Sequence, residues 1–103
     1  MLVATAGTMA RVIADERIEK IAEAARTRSG KSALIETGLM LAEETGEVVQ
    51  QLRRHVGLAR REATAEQVGA ELADVAIVVG VLSRLLDLDL DRLVSTKLDE
   101  GIC

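Results

Sequence analysis

The stretch "LMLAEETGEVVQQL", Leu39 to Leu52, sets Glu43, Glu44 and Glu47 inside an otherwise apolar segment that carries no lysine. A second stretch, "ELADVAIVV", sets Glu71 and Asp74 three residues apart at the head of an apolar run. On a helix of about 3.6 residues per turn, Glu43 and Glu47 lie about 40° apart and Glu44 and Glu47 about 60° apart, so all three share one sector. Glu71 and Asp74 share a face in the same way. If the two helices pack antiparallel, five carboxylates converge and resist ionising together. A divalent cation resolves that repulsion. An all-oxygen donor set suits Mg²⁺, Mn²⁺ or Ca²⁺ rather than zinc. Mg²⁺ held by a few carboxylates keeps open positions that phosphate oxygens fill, so the chemistry expected here acts on a phosphate substrate. The alternative is a solvated acidic face, or charge pairing with Arg53, Arg54 or Arg84. The second acidic pair favours the metal, because Asp74 adjoins an apolar run and not a polar face.

Four helices are expected to carry these residues. In the first, Ala10, Ala14, Ile18, Ile21, Ala22 and Ala25 follow helical spacing against Glu16, Glu19, Lys20 and Glu23, and Gly30 is a natural stop. The second runs from about Ser32 to Arg54, with Leu34, Ile35, Leu41, Val48, Val49 and Leu52 among its apolar positions. A polar connector follows, and "TAEQ" reads as a capping box with Thr64 at the N-cap and Gln67 three residues on. The third helix continues to about Leu86. A short fourth starts near Asp89 and includes Leu90, Leu93, Val94, Lys97 and Leu98.

The run Val75 to Leu82, "VAIVVGVL", is apolar all round, the pattern of a helix buried on every side. A lone bundle of this size is not expected to wrap it, so a second copy of the chain is expected to supply the missing wall. Gly38, Gly46, Gly69 and Gly80 fall inside the second and third helices. Each costs about 1 kcal/mol relative to alanine, which suggests close approach of a helix or a ligand, with Gly46 leaving room beside Glu47.

The bulk composition agrees with one all-α domain, residues 1–103, built as a four-helix-bundle-type protomer that assembles into a homo-oligomer. The chain has 103 residues, no proline and no aromatic residue, and it is 49% hydrophobic. An aliphatic core without proline favours helices. A formal charge of −4 argues against broad nucleic-acid binding. No segment reaches the roughly 18 apolar residues of a membrane span, and "MLVATAGTMAR" lacks the basic start of a signal peptide. The single cysteine, Cys103, allows no internal disulfide. A soluble cytoplasmic protein is expected.

The acidic motifs in order, "EETGE" then "ELADV", resemble the Glu-Glu-x-x-Glu and Glu-x-x-Asp signature of MazG-like nucleotide pyrophosphohydrolases of the all-α NTP pyrophosphatase superfamily. The end "DLDLDRLVSTKL" is similar to that family's last conserved segment, and the resemblance covers about residues 32 to 98. It implies Mg²⁺-dependent hydrolysis of a nucleoside triphosphate to a monophosphate and pyrophosphate, with nucleotide-pool house-cleaning as a role and Mn²⁺ as a substitute ion. It implies Glu44, Glu47, Glu71 and Asp74 as metal ligands, Glu43 as the group that orients or deprotonates water, and Lys97 as a phosphate contact. It also implies a homodimer or homotetramer. Two departures stand out. The end "KLDEGIC" has no asparagine after the lysine and no basic residues beyond it, and the chain has no aromatic residue to stack on a base.

Other residues carry less. Arg60 and Arg61, in the connector, can reach phosphates or simply face solvent, and Arg61 is kept as a substrate-binding candidate. His55, the only histidine, reads as structural or solvated, and Lys31 is ambiguous. "GKS" at Gly30 to Ser32 lacks the upstream glycine and strand of a phosphate-binding loop. The other functions in view are a phosphoribosyl-ATP pyrophosphatase-like enzyme and a non-catalytic helical assembly or regulatory module. A di-iron bundle would need Glu-x-x-His pairs, which one loop histidine cannot supply.

Overall fold

A computed structural model of the chain describes residues 8–101, and every element among them is helical. The α-helices are α1 (Thr8–Ala14), α2 (Glu16–Ser29), α3 (Ala33–His55), α4 (Ala65–Leu85) and α5 (Leu90–Asp99), with one 3₁₀ turn at Gly30–Ser32. No described helix is long and apolar enough to cross a membrane. Cys103 lies outside the described residues.

The first expected helix is in fact two. Asp15 breaks it with an extended backbone (φ −63°, ψ 130°) and becomes the N-cap of α2. Its carboxylate accepts from the Arg17 backbone N–H at 2.8 Å, and the Arg17 guanidinium clamps both oxygens at 3.0 and 2.8 Å. Those bonds hold the Asp15 carboxyl down at about 2. Helical spacing continues across the break, so periodicity alone did not reveal it. A capping aspartate before "ERIE" was the available signal.

The other ends follow local chemistry. Gly30, at φ 54°, caps α2 and returns its N–H to Arg26. Leu58 donates to the Arg53 carbonyl and Gly57, at φ 83°, to Arg54, which closes α3 with a left-handed residue. Thr64 and Gln67 form the reciprocal capping box at the head of α4. Asp87 closes α4 in the same left-handed manner (φ 54°), although it is not glycine. Asp89 accepts from the Arg92 N–H and starts α5.

α3 and α4 form the most extensive pair, an antiparallel hairpin joined by residues 56–64, and α2 and α1 pack across α4. Val78 and Val81 are buried there. Three helices of the same chain cover much of the Val75–Leu82 run, which a single protomer was not expected to wrap completely. Ile77 still stands 40% exposed. Among the four mid-helix glycines, Gly80 explains itself: a Cβ there would meet Val12 at 3.3 Å and Ile18 at 3.5 Å. A Cβ at Gly38, Gly46 or Gly69 would meet nothing within 4 Å, so no close approach inside the chain accounts for those three.

The far end of α4 is fastened by charge. Arg84 donates to the Ile13 carbonyl at 2.7 Å and lies 3.6 Å from Glu19. Arg26 donates to the Arg84 carbonyl and pairs with Glu19 and Glu23. Arg84 is thus committed to α1 and α2 and does not neutralise the acids near the head of α4.

Candidate metal centre

The α3–α4 hairpin brings the two acidic motifs face to face. One carboxylate oxygen from each of Glu44, Glu47 and Glu71 lies within 4.8 Å of the others. Glu44 Oε2 and Glu71 Oε2 are shielded from solvent and have no hydrogen-bond partner in the chain. Buried oxygens without donors are uncommon in folded proteins, and an ion is one standard explanation.

The electrostatics point the same way. Burial pushes the carboxyls of Glu44 and Glu71 above the usual glutamate range. The neighbouring charges of Glu47 and then Asp74 push them further. Among the described residues, the charges that shift these two acids are all carboxylates. Arg53 turns instead to the Leu58 carbonyl at 3.3 Å. A cluster that raises its own proton affinity is poised to exchange protons for a divalent cation.

The expected residues divide as follows. Glu44, Glu47 and Glu71 form the tight group. Asp74 is exposed one turn along α4 and reaches Glu44 and Glu71 by its charge. Glu43 is exposed on the neighbouring face of α3, so of the five acids three form the tight group and Glu43 and Asp74 lie outside it. Gly46 opens space beside Glu47, since a Cβ there would touch nothing.

The expected cations lie on other elements than the acids. Lys97 lies on α5, which packs on α1 beyond the far end of α4, and it lines an apolar groove with Leu90, Leu93, Val94 and Leu98. Arg60 and Arg61 are exposed in the connector near the head of α4. His55 has a structural contact: its Nδ1 lies 2.9 Å from the Ala63 carbonyl and ties α3 to the end of the connector.

Comparisons with protein families, with curated proteins and with solved structures find no match to this chain. The resemblance to MazG-like enzymes therefore rests on the acidic motifs and the α5 segment alone.

Proposed function

We propose that this protein is a metal-dependent nucleotide pyrophosphohydrolase, converting a nucleoside triphosphate and water to a nucleoside monophosphate and pyrophosphate. The observation that carries it is the pair of shielded, partnerless oxygens, Glu44 Oε2 and Glu71 Oε2, within a group of carboxylates that raise one another's proton affinity. That donor set fits Mg²⁺ or Mn²⁺. Glu44, Glu47 and Glu71 would hold the ion, with Asp74 completing the set. A bound divalent ion supplies neutralisation of phosphate charge and a more acidic water.

The chain's own residues do the rest. Glu43 stands beside the cluster with its carboxylate free to solvent, the place for a group that orients or deprotonates the attacking water. The helix pair fixes the acids on rigid elements, so their geometry does not depend on a loop. The assignment of Lys97 and Arg61 to the phosphates rests on the resemblance. Without an aromatic residue, recognition of the base has no stacking partner from this chain, and loose base selection follows. The protomer is proposed to work as a homodimer or homotetramer in the cytoplasm.

Divalent titration by calorimetry tests the site. Mg²⁺ binding is expected in the wild type and should weaken at least tenfold in Glu47→Gln and in Glu71→Gln, the loss typical of a removed ligand. Equal binding in both variants would remove the metal from this position. A non-catalytic module that uses a structural ion would bind Mg²⁺ yet release no pyrophosphate from any of a panel of NTPs and dNTPs.

A further inference from the structure

We propose that the triphosphate substrate lies lengthwise along the α3–α4 hairpin, its nucleoside in an apolar cavity on one side of the acids and its pyrophosphate end toward Arg54 on the other. This rests on the metal-dependent reading above and adds a direction to it.

The register of the hairpin sets three chemistries in a row. His55 meets Ala63 at the connector end. Glu47 meets Glu71 in the middle. Thr37 and Met40 share a cavity with Val78 and Val81 further on. In an antiparallel pair each step along α3 matches one step back along α4, so the same register sets Glu44 beside Asp74 and Arg54 beside Thr64. On α3, Thr37, Met40, Glu44, Glu47, Gln51 and Arg54 recur at steps of three or four residues and share one face. Along that face the surface passes from apolar to acidic to basic.

The apolar end is a cavity of about 340 Å³, in the size class of small-ligand pockets, which runs from about 300 to 1,000 Å³. Thr37, Val78 and Val81 form its buried floor, and Ile21, Met40 and Ile77 its exposed rim. It begins one turn from the acids on both helices, since Met40 precedes Glu44 by four residues and Ile77 follows Asp74 by three. Two polar groups enter it. Thr37 already donates to the Ala33 carbonyl at 2.7 Å, which leaves its oxygen free to accept. Arg28 takes no part in the arginine bonds of the described residues, which belong to Arg17, Arg26, Arg53 and Arg84. Apolar walls with a few polar groups suit a flat heterocycle and offer little to a phosphate. Each common base has an acceptor for a guanidinium, so the cavity holds a base without selecting one.

The basic end is Arg54. It lies seven residues beyond Glu47, about 10 Å along the axis and at nearly the same angle around it. It is half-buried and, like Arg28, absent from those bonds. Gln51, also half-buried, lies on the path between Glu47 and Arg54. A guanidinium presents phosphate oxygens with paired, charged donors. A phosphate chain that starts at the metal therefore has one favourable direction, toward Arg54, and the nucleoside takes the other.

Calorimetry of the full chain with Mg²⁺ separates the two ends, with inorganic pyrophosphate as one probe and the four common nucleoside monophosphates as the others. Arg54→Ala is expected to weaken pyrophosphate binding about tenfold or more, the loss of charge-assisted hydrogen bonds, and to leave the monophosphates unchanged. Arg54→Lys should recover part of that loss, since it restores the charge and not the paired donors. Ala24→Trp, which fills the cavity from an exposed position, and Arg28→Ala are expected to do the converse. Circular dichroism should be unchanged in each variant, because none of the three positions belongs to the buried core. Cavity variants that weaken pyrophosphate, with Arg54→Ala weakening the monophosphates, would reverse the direction and overturn the proposal. Wild-type binding of both probes that no variant changes would overturn it while sparing the metal-dependent reading. A wild type that binds Mg²⁺ but neither probe would defeat both.

Discussion

Glu44 and Glu71 bind protons more tightly in the folded chain than an ordinary glutamate, whose value is 4.5, because burial and then neighbouring carboxylates penalise their charge. The folded chain thus holds more protons than the unfolded chain just above that value. Stability of the metal-free protein should fall as pH rises through the window between 4.5 and the raised folded value. Thermal melts in chelator, taken from mildly acidic to neutral pH, should show this decline. Glu44→Gln should flatten it and raise the melting temperature at neutral pH, and Mg²⁺ should do the same for the wild type. A wild-type midpoint that rises over that window would contradict the clustered geometry. Glu43 should behave differently from its neighbour. Glu43→Gln is expected to keep Mg²⁺ affinity and lower turnover by about 10²-fold or more, the loss of a general base. A parallel loss of Mg²⁺ affinity in Glu43→Gln would make it a ligand instead.

At the scale of helices, the glycines of α4 give opposite expectations. Gly69→Ala meets no atom and should stabilise the fold by up to about 1 kcal/mol. Gly80→Leu must displace Val12 and Ile18 and should destabilise by at least about 1 kcal/mol, the cost of overpacking a core. Thr64→Ala should cost about 1 kcal/mol by removing the N-cap of α4. Urea midpoints of the three variants check all of these. The caps at Thr64 and Asp89 and the stop at Gly30 were legible in the sequence, because each depends on contacts within a few residues, and the acid-bearing helices α3 and α4 were legible from their periodicity. The break at Asp15 was not, since apolar spacing runs through it and only the Arg17 clamp reveals it. The fate of Arg84 was also hidden. Its partners, Ile13 and Glu19, lie more than sixty residues away along the chain, and nothing local points to them. At the site, the helical spacing of Glu44 and Glu47 and of Glu71 and Asp74 was readable, whereas the packing of α5, which carries Lys97, on α1 was not.

The whole protomer is open for its size. Its radius of gyration is 15.6 Å, against about 13 Å for a compact domain of this length. Its core is small, built around Ile18, Ala22 and Val81 with Val12 and Leu85 packed alongside. Large apolar side chains on α3, Leu34, Ile35 and Leu39 among them, remain exposed. Such a surface on one chain marks an interaction site. Melting temperature should therefore rise with protein concentration, as it does when folding and association are linked. Concentration-independent melting would contradict an assembled native state. The acids on the hairpin give that assembly its proposed chemistry, and the products distinguish it from other phosphate hydrolysis. The most direct measurement is chromatography of one reaction of a nucleoside triphosphate with Mg²⁺ in oxygen-18 water. Nucleoside monophosphate and pyrophosphate in equal amounts, with the label in one of them, are the predicted result. Nucleoside diphosphate with labelled orthophosphate would place attack at the γ phosphorus and contradict it.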